Sequence, residues 1–261
     1  MTPRVARILR RLGAGAPVQS VEMRLVHAQI GGRAVNFCIN RPRDVIQRQH
    51  VKGQFYEAPE LADLAAVFPA GGTFVDIGAN IGNHTLWAAL FMGASKVIAF
   101  EPNPKAIDVL VPNVAVNGLT GIVDLSHLGV GLGAAASEGF GVQRAPGNLG
   151  AAQLEEGTGA LTVERADVLL KGIAPDMIKI DVEGMEIDVL AGLSGVLERC
   201  QPILFVEVDT HNAEAFSAWL NSSGYATAKS YKRYAENENH LVAPTAALAS
   251  VTAALATGVP A

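Results

Sequence analysis

Residues 75–84, VDIGANIGNH, hold an acid, two glycines and an asparagine at the point where an apolar strand should turn into a helix. In open α/β sheets, ligands bind beyond the carboxyl ends of the strands, where glycines let the backbone approach and a helix N-terminus offers free N–H groups. We therefore predict a ligand-binding turn that is formed by Asp76, Gly78, Ala79, Asn80 and Gly82.

The position of Asp76 predicts the polarity of the ligand. The glycine spacing departs from the G-x-G-x-x-G of dinucleotide sites, and Asp76 precedes the first glycine. A carboxylate at that place would repel a pyrophosphate. A ligand with an amino group and a sulfonium but no phosphate fits better, which favours S-adenosylmethionine as the cofactor and S-adenosylhomocysteine as its product.

A second acid, Glu101, ends the apolar run KVIAFE. A carboxylate at a strand end can accept hydrogen bonds from ribose hydroxyls, a role that acids also have in NAD sites. Glu101 alone is therefore not decisive, and the alternative is that Asp76 caps a helix and Glu101 is a solvated strand end. The D-x-G-x-x-x-G turn, a helix and a strand ending in Glu together favour S-adenosylmethionine.

Three further acids near the ends of apolar runs are candidates for catalysis. Asp181 and Glu183 follow the run MIKI, and Glu207 lies in PILFVEV. Methylation of a hydroxyl requires the oxygen to be held in line with the methyl group and its proton to be removed by a base. Asp181 and Glu183 are alternative bases, or they orient a sugar hydroxyl, and Glu207 is expected to face the same cleft.

The three acids could instead hold a divalent cation that acidifies a substrate hydroxyl. No His or Asp spacing specifies a metal site, so we predict that no metal is obligatory. Glu186 is interpreted as stabilising a helix N-terminus. His84 and His211 are interpreted as a helix-start histidine and a loop histidine without catalytic roles.

Alternating strand and helix patterns must position these side chains. We predict strands at TFVDIG, KVIAFE, IVDL, MIKIDV and PILFVEV, and a closing antiparallel pair at GYATAKSY and NHLVAP. Continuous apolar runs are typical of a parallel sheet that helices cover on both faces, which predicts an α/β fold. Residues 104–118 are predicted to form a helix that Pro112 must kink or divide.

Three regions lie outside this alternation. Residues 1–54 are expected to form an N-terminal extension with a β-hairpin around Gly31 and Gly32, followed by a helix within 57–68. Residues 129–160 are either a β-hairpin lid over the cleft or a mobile surface loop, and the segment GVGLGAAAS at 129–137 is interpreted as loop. Residues 244–261 are interpreted as a low-complexity tail or a packed helix.

Composition limits the functional classes. The 261 residues are 49% hydrophobic, enough for one core, and the formal net charge of −5 argues against a nucleic-acid binder. Cys38 and Cys200 are expected to be reduced thiols in the cytoplasm. No apolar run reaches the roughly 18 residues of a membrane span. The arginines within residues 4–11 are expected in a frayed terminus, with weak membrane-surface contact as the alternative.

The segments FVDIGANIGNHT, AFEPNP, IKIDVEGMEIDVLAGL and PILFVE together resemble the FkbM family of S-adenosylmethionine-dependent methyltransferases. The resemblance covers residues 55–243, which would form the methyltransferase domain. FYE at 55–57, GNLG at 147–150 and ENHLV at 238–242 are also similar to the family pattern. The chain departs from that pattern at residues 166–168, where the family tends to have Leu-Asp-Asp.

The resemblance implies a Rossmann-like seven-stranded sheet of order 3-2-1-4-5-7-6 with strand 7 antiparallel. It also implies methyl transfer to an oxygen, typically a hydroxyl of a sugar, glycan or related secondary metabolite. The turn residues would enclose the methionine part of the cofactor, with Asp181 beside the methyl group. Glu101 would bind the ribose, and Pro102 and Asn103 would lie at the adenine edge. The partner of the adenine amino group is expected within residues 126–128.

Other functions compete with this one. A nucleic-acid N-methyltransferase normally has an Asn- or Asp-Pro-Pro-aromatic run after the fourth strand, where this chain has DVEG at 181–184. A nicotinamide-dependent oxidoreductase is disfavoured by Asp76 and by the glycine spacing. A non-catalytic cofactor-binding protein stays open as an alternative. We expect a small-molecule or glycan acceptor and no nucleic-acid partner.

Overall fold

Apolar runs of β-forming residues assemble around a central sheet. The computed structural model describes residues 3–18, 21–143, 149 and 152–257. The helices are α1 (Pro3–Gly13), α2 (Gln47–Val51), α3 (Ala58–Val67), α4 (Asn83–Leu90), α5 (Pro104–Val116), α6 (Ala166–Leu169), α7 (Glu186–Gly192), α8 (Ser194–Cys200), α9 (Ala213–Ser223) and α10 (Leu248–Thr257). The strands are β1 (Arg24–Ile30), β2 (Arg33–Ile39), β3 (Thr73–Ile77), β4 (Lys96–Phe100), β5 (Val123–Asp124), β6 (Val130–Leu132), β7 (Ser137–Gln143), β8 (Gln153–Glu155), β9 (Leu161–Glu164), β10 (Met177–Ile180), β11 (Ile203–Asp209), β12 (Tyr225–Tyr231) and β13 (Asn237–Pro244).

The central sheet has seven strands in the order β12-β13-β11-β10-β3-β4-β5. The strands β3, β4, β5, β10 and β11 run parallel to one another. β13 is antiparallel to both β11 and β12. The sheet therefore ends on that side with the antiparallel pair that the sequence predicts. The predicted α/β class with a mainly parallel sheet is confirmed.

The strand order reverses between β3 and β10, and this reversal positions the site. β4 and β5 follow on one side of β3, whereas β11 follows on the far side of β10. Ile77 pairs with Ile180, so the turns that leave the two strands start side by side. The crevice at such a reversal is where open α/β sheets bind their ligands.

Side chains of the central strands alternate between two hydrophobic cores. Phe74 belongs to the core that α3, α4 and α5 cover, whereas Val75 and Ile77 belong to the core that α7, α8 and α9 cover. The alternation arises because successive residues of a strand point to opposite faces of the sheet. Both faces are buried, which explains why these strands are continuous apolar runs in the sequence.

The N-terminal extension packs onto this sheet domain. β1 and β2 form the predicted hairpin. Ile8, Leu9 and Leu12 of α1 pack against the first core, so the expectation of a frayed terminus is wrong. These residues lie on one face of the helix, and their burial stabilises it. Within the described parts of the chain, no helix is both long and apolar enough to cross a membrane.

The insertion after β5 contains a second, four-stranded sheet of order β6-β9-β7-β8. The prediction that 129–137 form a loop is wrong, because Val130–Leu132 is a strand paired with β9. Gly131 allows this packing, since a Cβ at that residue would lie 2.6 Å from Cδ1 of Leu154. β7 and β8 form an antiparallel pair, as in the predicted hairpin insertion. Residues 144–148 and 150–151 lie outside the described residues, as does most of the motif at 147–150.

Two helices settle points that the sequence left open. Pro112 lies inside α5, which runs from Pro104 to Val116 and is therefore not divided. The C-terminal region forms α10, whose Val251 is buried and which contacts α3 and β12. Its alanine-rich sequence has a high helix propensity, in agreement with the packed helix rather than the tail.

We predict that Asn113→Ala destabilises the fold, because this fully buried side chain connects three elements. Its Oδ1 accepts a hydrogen bond of 2.7 Å from the backbone N–H of Cys38, and its Nδ2 donates one of 2.7 Å to the carbonyl of Ile81. Loss of both partners leaves two backbone groups unsatisfied, at about 2–4 kcal/mol of unfolding free energy in urea denaturation. Exposed Asn221 on α9 is the control, and Asn221→Ala should change that energy by less than about 0.5 kcal/mol. Equal effects of the two substitutions would contradict the prediction.

Candidate active site

Two adjoining cavities open at the carboxyl ends of β3, β4, β10 and β11. The first, which we call the inner pocket, includes Gly78, Asn80, Glu101, Pro102, Asn103, Val130, Leu132, Leu149, Leu154, Asp181, Glu183 and Met185 in its lining. The second, the acidic cleft, has a volume of about 500 Å³. Its lining includes Tyr56, Glu57, Gly78, Ala79, Asn80, His84, Lys179, Asp181, Glu183, Glu207, Tyr234 and Glu236. Gly78, Asn80, Asp181 and Glu183 line both cavities, so these residues form the boundary between them.

Both glycines of the turn after β3 have left-handed backbone conformations, and Gly78 also allows close approach of two backbones. Gly78 has a φ of +77°, and a Cβ there would lie 1.8 Å from the carbonyl oxygen of Asp181. Gly82 has a φ of +92° and precedes α4, where a Cβ would lie 2.6 Å from Cδ1 of Leu110. Gly78 therefore brings the turns after β3 and β10 together, whereas Gly82 packs against α5 and lines neither cavity.

Lys179 is the buried cation at the centre of the site, and its side chain is only 3% exposed. Its Nζ donates a hydrogen bond of 2.6 Å to the carbonyl of Gly78. The same nitrogen lies 3.4 Å from Oδ1 of Asp76 and 3.1 Å from Oδ2 of Asp181. Burial disfavours the charged ammonium, but the two carboxylates outweigh it and raise the pKa of Lys179.

Asp76 lies behind the cavity wall rather than at a ligand-facing surface. It is fully buried, and its Oδ2 accepts a hydrogen bond of 2.6 Å from the hydroxyl of Thr85. Its other oxygen faces Lys179, and Asp76 lines neither cavity. The sequence argument that this carboxylate selects a cationic ligand by direct contact therefore has no support in the geometry. The reason is the strand alternation, which points Asp76 to the same face of the sheet as Phe74, under α4.

Glu101 occupies the wall of the inner pocket, where the sequence predicts a ribose-binding acid. Its two oxygens each accept a backbone hydrogen bond of 2.7 Å, one from Asn80 and one from Asn103. Burial raises the pKa of Glu101 to about 7, although these hydrogen bonds favour the ionised form. Each carboxylate oxygen has a second lone pair, so Glu101 can still accept hydrogen bonds from a ligand.

The three predicted catalytic acids converge, and each offers an oxygen within 4.8 Å of the others. Burial raises the pKa of Asp181, but the charge of Lys179 and a hydrogen bond with Glu207 lower it by more than burial raises it. The pKa is lowered overall, so this carboxylate is ionised. Burial and Asp181 raise the pKa of Glu207 far above its usual range, so Glu207 carries a proton. Burial, Asp181 and Glu186 raise the pKa of Glu183 to about 8. Oxygen atoms at this spacing are compatible with a cation, but Lys179 already neutralises Asp181.

Sequence reasoning missed Glu57 as a site residue and gave His84 no role. Glu57 is buried and accepts a hydrogen bond of 3.3 Å from Nδ2 of Asn239. Nε2 of His84 lies 3.6 Å from Oε2 of Glu57. Burial and the nearby Asp181 raise the pKa of Glu57 to about 7, and burial and Lys179 lower that of His84 to about 4. The resemblance of FYE at 55–57 to the family pattern was the available signal.

Left-handed backbone conformations mark the same region. Glu57, Asn80 and Glu183 have φ values of 60°, 50° and 50°, and each lines at least one of the two cavities. Such conformations cost free energy for residues with a Cβ and are concentrated at functional sites. The strained backbone at these three residues indicates that their side chains must be held in particular positions at the cavities.

The remaining candidates have other places. Glu186 accepts a hydrogen bond of 2.6 Å from the N–H of Gly184 and one of 2.5 Å from Asn212, in agreement with a role at the start of α7. His211 is exposed, with its Nδ1 2.9 Å from Asp209. Among the described residues, none of 126–128 lines the inner pocket. Their predicted contact with adenine stays a prediction.

Comparison with known proteins places this site in a family. The sequence pattern described as the methyltransferase FkbM domain matches residues 76–232, more than half of the chain, and includes the turns after β3 and β10. The chain belongs to the FkbM methyltransferase family. It is therefore a methyltransferase, and the family implies a methyl donor.

Individual relatives are distant. The hexuronic acid methyltransferase AglP of Haloferax volcanii is 26% identical over 189 residues, which cover 70% of this chain and 73% of that protein. The methyltransferase sdnD of Sordaria araneosa is 28% identical over 162 residues, which cover 49% of this chain and 62% of that protein. An uncharacterised protein of Listeria monocytogenes serotype 4b has a solved structure that aligns with a TM-score of 0.50 and 16% identity, over 73% of this chain and 68% of that one. This last likeness concerns the fold alone.

We predict that Lys179→Met destabilises the protein because it leaves the fully buried Asp76 carboxylate without its ion pair. Removal of one partner of a buried pair costs about 3–5 kcal/mol of unfolding free energy. Lys96 offers a matched control, since its exposed ammonium lies 4.0 Å from Asp124, and Lys96→Met should cost less than about 1 kcal/mol. Urea denaturation of both variants measures the difference. Similar losses in the two variants would show that the buried pair is not a central support of the site.

Proposed function

We propose that this methyltransferase transfers the methyl group of S-adenosylmethionine to a hydroxyl oxygen of a sugar, glycan or related metabolite. The observation that carries the proposal is that the two cavities meet at Gly78, Asn80, Asp181 and Glu183. A donor in the inner pocket and an acceptor in the acidic cleft would therefore approach each other across this boundary. Such a juxtaposition turns a bimolecular reaction into an oriented encounter.

The lining of the inner pocket offers the groups that the proposed donor needs. Glu101 can accept hydrogen bonds from ribose hydroxyls, and Pro102 and Asn103 continue the same wall. The apolar side chains of Val130, Leu132 and Leu154 offer surface for an adenine ring. Oδ1 of Asn80 is buried without a hydrogen-bond partner and can accept one from the donor. Gly78 keeps the floor of the pocket free of a side chain.

The bound donor would supply an electrophilic methyl group on a positively charged sulfur. The acceptor oxygen would form the new C–O bond as the C–S bond breaks. The electron pair of the C–S bond would stay on sulfur. Asp181 and Glu183 border the region where this transfer would occur, and their carboxylates favour positive charge there. In this proposal Asp76 and Gly82 support the donor indirectly, through Lys179 and through the start of α4.

We assign the role of base to Glu183 rather than to Asp181 or Glu207. Asp181 is held ionised by Lys179, 3.1 Å away, which makes it a weak proton acceptor. Glu207 already carries a proton and can orient an acceptor hydroxyl by hydrogen bonding. Glu183 lines both cavities and has a pKa of about 8, so its ionised form, which becomes dominant above that pH, is a stronger proton acceptor than Asp181. No metal ion is required, because Lys179 already neutralises part of the acidic cluster.

The acceptor class is supported by the relatives. AglP is named for hexuronic acid, a sugar derivative, and the acidic cleft of this chain has the volume and hydrogen-bonding groups for a monosaccharide unit.

Two substitutions separate donor binding from methyl transfer. Glu101→Ala should weaken binding of S-adenosylhomocysteine about 30- to 100-fold in calorimetry, because two charged hydrogen bonds are lost. Glu183→Gln should bind it within about threefold of the parent and lose turnover about 100-fold or more. Unchanged affinity in Glu101→Ala would contradict the assignment of the inner pocket. Full turnover in Glu183→Gln would contradict the assignment of the base.

The pH dependence of kcat/KM tests the base independently. Glu183 must be ionised to accept a proton, so the rate of the parent should rise about tenfold per pH unit below pH 8 and level off above it. Glu183→Gln should lose this rise, whereas the exposed control Glu214→Gln should keep it. A rise that persists unchanged in Glu183→Gln would assign the titration to another group.

A further inference from the structure

We propose that the acidic cleft selects an uncharged, polyhydroxylated acceptor, a neutral sugar unit, and discriminates against the corresponding uronic acid. This inference rests on the proposed function and goes beyond it, since it specifies the charge of the acceptor. It also separates this chain from AglP, whose name refers to a hexuronic acid.

The number of acids in the cleft is the first argument for a neutral acceptor. Glu57, Asp181, Glu183, Glu207 and Glu236 all line it, and they come from four parts of the fold: the turn before α3, the turn after β10, strand β11 and the turn before β13. A carboxylate on the acceptor would lie among these acids in a partly desolvated space. The cleft already holds more carboxyl groups than it keeps ionised, since burial and Asp181 raise the pKa values of Glu57, Glu183 and Glu207. A further carboxylate would therefore bind only together with an additional proton or against the repulsion of the acids that stay charged. A neutral hydroxyl avoids that cost.

Lys179 does not compensate an acceptor carboxylate. Among the described residues that line the cleft, it is the one lysine or arginine. Its ammonium already donates to the carbonyl of Gly78 and lies within 3.4 Å of both Asp76 and Asp181. The ammonium donates a hydrogen bond to that carbonyl, and its charge is shared between the two carboxylates. A negatively charged acceptor would have to displace one of them.

The unused hydrogen-bonding groups of the cleft suit hydroxyls. Nε2 of His84 is buried, lines the cleft and has no hydrogen-bond partner. Oδ1 of Asn80, on the boundary with the inner pocket, is also unpartnered. Carboxylate oxygens and Oδ1 of Asn80 accept hydrogen bonds, which hydroxyls donate and an acceptor carboxylate does not. A hydroxyl both donates and accepts, so it can pair with Nε2 of His84 in either tautomer of the ring. A burial-driven pKa of about 4 keeps His84 neutral, so it adds no positive charge.

The rim of the cleft adds a surface for the apolar face of a sugar ring. Tyr56 and Tyr234 both line the cleft, and their hydroxyls are 3.1 Å apart. Tyr234 is 42% exposed, although aromatic rings are usually more buried. The guanidinium of Arg233 lies over the ring of Tyr56, 5.4 Å from the ring centroid, and pairs with Glu60. An exposed tyrosine beside a row of hydroxyl-accepting acids fits a ring with one polar edge and one apolar face.

The test is a competition between matched acceptors. The purified protein is incubated at low salt with S-adenosylmethionine and a pool of methyl hexosides, each present beside the methyl hexuronide of the same configuration. Mass spectrometry measures the gain of about 14 Da, one CH2 unit, on each compound. The proposal predicts that the methylated members are hexosides, with at least about tenfold preference over their hexuronide partners.

Variants of one rim acid give a second readout. Glu236 lines the cleft, whereas Glu238, two residues further along the chain, does not. Glu236→Gln should reduce the preference for the hexoside about threefold at low salt, and the effect should shrink as salt screens the charge. The matched control Glu238→Gln should leave the preference unchanged.

The outcomes separate this inference from the proposed function. Methylation of hexuronides at rates equal to or above those of hexosides would overturn the inference and leave sugar methylation intact. An unchanged preference in Glu236→Gln would overturn the assignment of selectivity to the charges of the cleft. If no sugar is methylated although calorimetry shows that the protein binds S-adenosylmethionine, the proposed acceptor class falls and the inference falls with it.

Discussion

The site depends on one buried ionic cluster, in which Lys179 holds Asp76 and Asp181 together across neighbouring strands. Three charges at the reversal of the strand order would be costly to bury singly, and they are tolerated because each carboxylate lies close to the ammonium. The hydrogen bond from Lys179 to the carbonyl of Gly78 adds the glycine turn to the same cluster. The relative position of the turns after β3 and β10, and hence the boundary between the two cavities, follows from this arrangement.

The cluster also explains how four acids near that boundary differ in protonation. Asp181 keeps its charge because of Lys179, and its charge in turn raises the pKa values of Glu57, Glu183 and Glu207. Groups of one chemical type therefore have different tasks: one supports the structure, one can accept a proton and one can donate a hydrogen bond. Environments that separate the pKa values of neighbouring carboxyls are a common basis for acid and base catalysis.

Much of this arrangement is predictable from sequence, because strand ends are visible as the ends of apolar runs. Glu101, Asp181, Glu183 and Glu207 were placed near the site in that way, and the structure brings them to the two cavities. The burial of Asp76 was not predicted, because the sequence argument took it as part of the turn, whereas it is still a strand residue whose side chain points into one of the two cores. Lys179 was overlooked, although a lysine within the otherwise apolar run MIKI needs a buried partner. Glu57 reaches the cleft from outside the sheet, and β6 was hidden by Gly131, which packs against the side chains of Leu154 and Val163.

The central claim is that the donor lies in the inner pocket with its sulfur toward Asp181 and Glu183. A crystal structure with S-adenosylhomocysteine tests it most directly. The account predicts electron density in the inner pocket, with ribose hydroxyls within hydrogen-bond distance of Glu101 and the sulfur directed at the boundary with the acidic cleft. Density for that ligand in the acidic cleft, or for a dinucleotide across the turn at Gly78, would contradict it.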